Sequence, residues 1–319
     1  MASLKEIYRA AVDAGIKADP RGEEFVRREL AREKEKFEKL SDIEKSEFDR
    51  EKLENPYSDT RILNDPSGAG IKTALTGIDM EAPEILLFDA LKRKGRSIDA
   101  VIGHHPEGRA YARFYEVMKM QADIFSAAGV PINIVEGLTA ERMSEVARRV
   151  APANHERAVD AAKLMDVPFM CVHTPADNHV ASHLSRLFAE KKPEFLDDVI
   201  KILKDIPEYK IAVEAGSGPF ILVGEKSRRA GRVIVDMTGG TEGSKDIFDS
   251  LATSGVGTVV AMHLSEDHYK KAKENRVNVV VAGHISSDNL GLNLLFDALK
   301  LRGIELDTVP CSGFRRVNR

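Results

Sequence analysis

The chain has 319 residues, 43% of them hydrophobic and 31% charged, enough to bury a large core and to form two domains. Its net charge of -4 argues against a strongly basic nucleic-acid binder, so nucleic acid is not an expected partner. The only two cysteines, Cys171 and Cys311, lie outside any paired spacing, which argues against a disulfide framework and a cysteine zinc site.

The N-terminus, Met1-Ala2-Ser3-Leu4-Lys5-Glu6, carries charge where a signal peptide needs an apolar core, and no apolar run approaches the roughly 20 residues of a membrane span. A cytoplasmic protein without membrane contact is expected. Residues 3–55 read as helix. Ile7, Ala10, Ala11 and Ala14 recur at helical spacing, with Gly15 as a candidate end. A second, densely charged run extends from Pro20 to about Leu40, and Ser41-Asp42-Ile43-Glu44 has the form of a capping box. Asn55-Pro56 closes the segment. Residues 1–56 are therefore read as a charged helical extension packed on the body or on a neighbouring subunit, with partner binding as the alternative.

From about residue 60, short apolar runs alternate with amphipathic stretches. Strands are expected over Ile71–Ile78, Ile98–Ile102, Ile132–Val135 and Val167–Val172, with helices over Ala82–Lys94, Ala110–Ala128 and Leu138–Met165, the last interrupted at Pro152. A helix over Pro193–Asp205 follows, then short strands at Lys210–Val213 and Phe220–Val223. The final portion reads as strand Val233–Val235, helix Ser244–Ala252, strand Gly257–Met262, helix Ser265–Glu274, strand Val277–Ala282, helix Ser286–Lys300 and an edge strand at Asp307–Val309. The alternation implies βαβ units. The expected fold is α/β: two similar domains with mostly parallel sheets, 57–195 and 196–319, plus the extension, with the C-terminal helix free to return to the first domain.

Three apolar strands end in histidine: Val101-Ile102-Gly103 leads into His104-His105-Pro106, Phe169 to Val172 into His173, and Val279 to Gly283 into His284. Ligands of open α/β sheets collect beyond the carboxyl ends of the strands. His173-Thr174-Pro175-Ala176-Asp177-Asn178 also echoes His284-Ile285-Ser286-Ser287-Asp288-Asn289. Each His and Asp, four apart at a helix start, share a face and can point into one cavity. Imidazole with carboxylate suits zinc, iron, nickel or manganese. Singly, His104 or His105 is more often a hydrogen-bonded structural residue. Together with the two His-xxx-Asp pairs they predict one metal centre. His263 ends another strand and is a candidate acid, base or site-lining group, and Glu107 is a candidate general base. His179 and His183 read as an exposed helix face. Thr238-Gly239-Gly240-Thr241-Glu242-Gly243-Ser244 reads as a strand–helix connection, with phosphate binding as the sharper alternative. Arg228, Arg229, Arg232, Arg315 and Arg316 are read as nucleotide-binding or simply surface residues.

On His104-His105-Pro106 after a strand, the His173-to-Asp177 run and the late Gly283-His284-xxx-Asp288 element, residues 60–319 resemble the Nif-three-like dinuclear metal-centre family, also known as type 2 homologues of GTP cyclohydrolase I. The resemblance implies metal ligands at His104, His105, Asp177, His284 and Asp288, two divalent ions, and His173 as an outer or site-lining group. It also implies a ring-shaped hexamer of two-domain subunits. The family usually has glutamate where this chain has Asp288, one methylene shorter, and the charged extension falls outside the resemblance. The function implied is a metal-dependent hydrolase, with a small molecule such as the purine nucleotide GTP as substrate and Glu107 or His263 moving protons. The alternative, from the charged extension, is a metal-binding scaffold or metal chaperone that works through protein partners.

Overall fold

The computed structural model describes residues 1–319. A two-residue strand β1 (Ala2–Ser3) leads into helix α1 (Leu4–Ala18), where Ser3 and Glu6 form a reciprocal capping box. Helices α2 (Glu23–Glu38) and α3 (Asp42–Glu47) follow, the latter opened by the expected Ser41–Glu44 capping box. The extension divides by burial. Leu4, Ile7, Ala11 and Ala14 of α1 sit in the main core, whereas α2 buries only Val26 and α3 nothing. Thus α1 is built into the body and is not a free arm. Gly15 does not end the helix. A Cβ there would lie 2.7 Å from both Cα and Cβ of Pro175, so the glycine permits close approach.

A tight helical turn at Arg50–Leu53 precedes strand β2 (Arg61–Asn64). The short β3 (Gly70–Ile71) pairs with β1, and β4 (Thr73–Gly77), helix α4 (Ala82–Arg93) and β5 (Ala100–Gly103) make the first βαβ unit. The expected Ala110–Ala128 helix is broken into α5 (Gly108–Ala112), a tight turn at Phe114–Lys119 and α6 (Met120–Ala127). Helices α7 (Ile132–Val150) and α8 (Arg157–Leu164) precede β6 (Phe169–Cys171) and α9 (Thr174–Lys191). Next come α10 (Leu196–Lys204), α11 (Pro207–Glu214), β7 (Phe220–Val223), β8 (Arg232–Asp236) and α12 (Ile247–Thr253). The chain closes with β9 (Val256–Ala261), α13 (Glu266–Glu274), β10 (Asn278–Val281), α14 (His284–Lys300) and β11 (Asp307–Pro310).

Two expected strands are helical. Ile132–Val135 opens α7 and Lys210–Val213 lies in α11. Each follows a proline, Pro131 at the cap of α7 and Pro207 at the first position of α11. Proline is preorganised for a helix start and lacks only an N–H that would be unpaired there. Short runs with three apolar residues in four do not by themselves choose between strand and helix.

The strands form two mostly parallel sheets, in the orders β11-β4-β5-β6-β2 and β7-β10-β9-β8. In each, one edge strand is antiparallel, β2 against β6 and β7 against β10. Helices α9 and α14 lie side by side between the sheets, where Gly291 lets the backbones touch: a Cβ there would sit 2.6 Å from Ala176 O. Each helix is buried against the other half. Val180, Leu184 and Phe188 of α9 join Val260 and Val280 of the second sheet, while Leu292, Leu295, Phe296 and Leu299 of α14 join Ile102 and Met170 of the first. Burial of each such side chain contributes about 1.5–3 kcal/mol, so the exchange holds the two halves together. No helix is long and apolar enough to cross a membrane.

Candidate metal centre

Strand register brings the histidines together. Gly77 pairs with Gly103 and Gly103 with Cys171, so β4, β5 and β6 end level. The ladder then continues: His104 N donates to Gly77 O (3.0 Å), His105 N to Ile78 O (2.9 Å) and Val172 N to Gly103 O (2.9 Å). The second sheet ends in the same manner, with Asp236 and Val281 both paired to Ala261. Gly283 follows in the left-handed region (φ 107°) and turns the chain so that α14 begins at His284. Asp177 and Asp288 stand one turn inside α9 and α14, each four residues after its histidine.

Imidazole centroids lie 5.2 Å apart for His104–His105, 4.8 Å for His104–His173 and 5.2 Å for His105–His284. His104 Nε2 faces Asp177 Oδ1 at 3.4 Å and Asp288 Oδ1 at 3.5 Å. The other Asp288 oxygen, Oδ2, is 3.5 Å from His105 Nε2 and 3.6 Å from His284 Nε2. Three overlapping triads result, His104/His105/His173, His105/His284/Asp288 and His104/Asp177/Asp288, each with donor atoms within 4.8 Å of one another. The five expected ligands therefore share one place. His173 joins them more closely than an outer position implies.

The outer nitrogens are held. His104 Nδ1 contacts Val172 O (3.1 Å), His105 Nδ1 contacts Asp79 Oδ1 (2.6 Å) and His173 Nδ1 contacts buried Asp59 (2.8 Å). Such contacts fix a ring and leave its Nε2 turned inward. The inward atoms have no hydrogen bonds: His104 Nε2, Asp177 Oδ1 and both Asp288 oxygens are buried without a partner. Buried polar atoms are rarely left so. Their spacings of 3.4–3.6 Å are near the roughly 3.4 Å that separates two ligands of one tetrahedral zinc. The residues fit divalent metal, and these buried His and Asp groups can hold an ion.

The electrostatics agree. Burial opposes charge on His104, but Asp288 and Asp177 outweigh it and lift the imidazole to about 10. His105 is lifted to about 9, against burial, by Asp288 and Asp79. Burial also opposes charge on Asp288, yet the His104 and His105 rings hold its carboxyl well below the usual range. The pocket calls for positive charge, supplied by protons or by metal ions. His284 differs, since burial pushes its pKa down.

Beside the centre a cavity of about 420 Å³ is lined by His105, His173, His284, His263 and Glu107. Glu107 makes no ion pair, and burial, with Glu81 nearby, raises its carboxyl to about 7. His263 Nδ1 contacts Glu242 Oε1 at 3.1 Å, and its ring lies 4.9 Å from that of His284. Glu242 raises the His263 pKa.

Asp59, Asp79 and Glu242 carry no local signal in the sequence. Asp79 becomes visible only through register, because the Ile78 carbonyl before it accepts from His105 N.

The glycine-rich connection is not a helix-terminal phosphate cradle. Gln121 Nε2 donates to Gly239 O (3.0 Å) and Thr241 O (2.6 Å), and α12 starts only at Ile247. The arginines are engaged within the fold: Arg228 with Asn278, Arg229 with Glu194, Arg232 with Ala128 O, Arg315 with Phe314 O and Arg316 with Asp297. His179 is half-buried, apart from the centre, and burial lowers its pKa to about 4.

No protein-family model matches the sequence, and no curated protein matches it. Among solved structures, the chain is similar to a NIF3 superfamily protein from Sphaerobacter thermophilus, at 26% identity and a TM-score of 0.69, over 80% of this chain and 91% of that one. Weaker likenesses include reduced HcgD from Methanocaldococcus jannaschii (16% identity, TM-score 0.47, 79% and 87% covered). TTHA1606 from Thermus thermophilus is another (15%, 0.44, 80% and 89%). With its level strand ends, its histidine pair and the fold shared with the Sphaerobacter protein, this chain is similar to the Nif-three-like, or NIF3, family.

Proposed function

We propose that the protein is a metal-dependent hydrolase with a dinuclear centre held by His104, His105, Asp177, His284 and Asp288. A purine nucleotide such as GTP is the substrate to which the family resemblance points. The observation that carries the reading is the set of unpaired buried atoms, His104 Nε2, Asp177 Oδ1 and both Asp288 oxygens, in contact with His105 and His284, which line the neighbouring cavities. Divalent ions of the zinc, iron, manganese or nickel class would supply Lewis-acid polarisation of a carbonyl, imine or phosphoryl group and a lowered pKa for water.

Asp288 turns one oxygen to His104 and the other to His105 and His284, so the shorter side chain still addresses both sides of the centre. Glu107 holds a proton that it can give up near neutral pH, within the cavity that His105 lines. His263, steadied by Glu242, is a second carrier of protons in the same cavity.

Two measurements test the reading. Elemental analysis of protein purified without chelator should find divalent metal, and His105→Ala should lose it. Protein saturated with iron, zinc or manganese should release formate from GTP. Failure with every metal overturns the substrate, whereas absence of metal overturns the centre itself.

A further inference from the structure

Residues 55–61 join the N-terminal helices to the α9 side of the centre, and their shape is unusually well determined. Asn55 Nδ2 donates to Tyr57 O (3.0 Å) and Thr60 O (2.9 Å), while its Oδ1 accepts from Tyr57 N (2.8 Å). The Arg61 guanidinium, 1% exposed, donates to the same two carbonyls at 2.9 Å each and pairs with Asp49 at 3.1 Å. A buried guanidinium must keep its partners, so the run is pinned from both ends.

This clamp presents three side chains to the start of α9. Asp59, fully buried, accepts from His173 Nδ1 (2.8 Å) and Thr174 Oγ1 (2.6 Å). Thr60 Oγ1 accepts from His173 N (3.1 Å). Tyr57 OH donates to Asp19 (2.9 Å) and accepts from Asn178 Nδ2 (3.1 Å). Asn178 directly follows Asp177. Its Nδ2 also donates to Gly15 O of α1 (3.2 Å), and its Oδ1 accepts from Thr238 Oγ1 at the end of the second sheet (2.6 Å). Residues on both sides of Asp177 are therefore tied to the extension or to the 55–61 run that follows it.

We propose that Asp59 and Tyr57 are positioning residues for the metal centre. Through them the N-terminal helical segment sets the tautomer of His173 and the place of the Asp177 carboxylate before any ion arrives. Asp59 keeps the proton of His173 on Nδ1 and so leaves Nε2 turned to the centre, 3.7 Å from Asp177 Oδ2. Tyr57 and Asp19 hold Asn178, and with it the first turn of α9, against α1. The charged extension is thus a support for the site and not only a cover for the core. The inference rests on the metal-binding part of the proposed function and is independent of hydrolysis.

The test uses the full chain and zinc alone. Zinc affinity is measured by chelator competition in wild type, Asp59→Asn and Tyr57→Phe, with near-UV circular dichroism to establish the fold and nitrogen NMR to read the His173 tautomer. Asp59→Asn is expected to weaken zinc binding roughly 10- to 100-fold and to shift His173 away from a pure Nδ1–H tautomer. Tyr57→Phe, which keeps the ring and loses one hydroxyl, is expected to weaken it about threefold to tenfold. If Asp59→Asn does not fold, Tyr57→Phe decides. Affinities within twofold of wild type, or an unchanged His173 tautomer in folded Asp59→Asn, overturn the inference. Absence of zinc binding in wild type overturns the metal reading beneath it.

Discussion

The start of α9 and the start of α14 carry the same pattern, histidine, three residues, aspartate, asparagine, yet they are used differently. The His173 side chain is 8% exposed and bonded to Asp59, whereas the His284 side chain is 40% exposed and its only carboxylate neighbour is Asp288, at 3.6 Å. Asn178 is buried among Gly15, Asp19, Tyr57 and Thr238. Asn289 instead holds the C-terminal tail, donating to Gly313 O (2.9 Å) and accepting from Arg315 N (2.5 Å). One copy is locked from behind by the chain's beginning, the other is strapped by its end and left open to the cavity. A repeated motif can thus supply a fixed wall and an accessible wall of one site, with the difference lying in what packs behind each copy.

The largest expected effect comes from forcing the two copies apart. Gly291→Val places a side chain where even a Cβ would lie 2.6 Å from Ala176 O and 3.0 Å from its carbonyl carbon. Neither atom can yield without moving α9, so a loss of about 3 kcal/mol is expected in denaturant unfolding, together with weaker metal binding. An unchanged midpoint would mean that the helices do not need this contact.

Next in size, the asparagines should rank by what they hold. Asn178→Ala strands Thr238, Tyr57 and Asp19 in the interior and should cost about 2–3 kcal/mol. Asn289→Ala releases a half-buried tail to water and should cost about 1 kcal/mol. Equal losses would remove the contrast between locked and strapped ends.

The contrast was only partly visible in the sequence. The strand ends, the paired histidines and the two His-xxx-Asp runs were legible because short apolar runs that stop at glycine or histidine have few other uses, and the helical period puts i and i+4 on one face. Ile132–Val135 and Lys210–Val213 were not, because a short run with three apolar residues in four fits either element and the deciding prolines stand just before them or further upstream. Gly15 reads as a helix end, yet its role is set by Pro175, far along the chain. Asp59 and Glu242 likewise acquire meaning only from partners 114 and 21 residues away.

A smaller effect distinguishes the open side. Burial, then Glu242, raises the Asp236 carboxyl from 3.8 to about 6, at the wall shared with His263. In the unfolded chain it ionises freely, so above about 6 the folded state carries a penalty. That penalty shrinks as pH falls from 6 to 3.8 and is absent below. Asp236 is only partly shielded from solvent, and the penalty is about 1 kcal/mol. Asp236→Asn should therefore raise the melting temperature by about 2–4 °C at pH 7.5 and leave it unchanged at pH 3.5. Stabilisation of the same size at both pH values would show that the gain comes from packing and not from charge.

The smallest effect on the fold is expected at His284. Its ring is half-buried, packs against His105, His263 and Asp288, and supports no backbone group. His284→Ala should change the stability of metal-free protein by no more than about 0.5 kcal/mol, the range of ordinary surface changes. His173→Ala should cost about 2 kcal/mol or more, because it leaves Asp59 buried with Thr174 and Thr60 alone. Both substitutions should lower metal content, so the pair separates ligation from folding. A large loss of stability in metal-free His284→Ala would place this residue in the framework of the fold, and the open wall of the site would then have to be sought at Glu107 and His263.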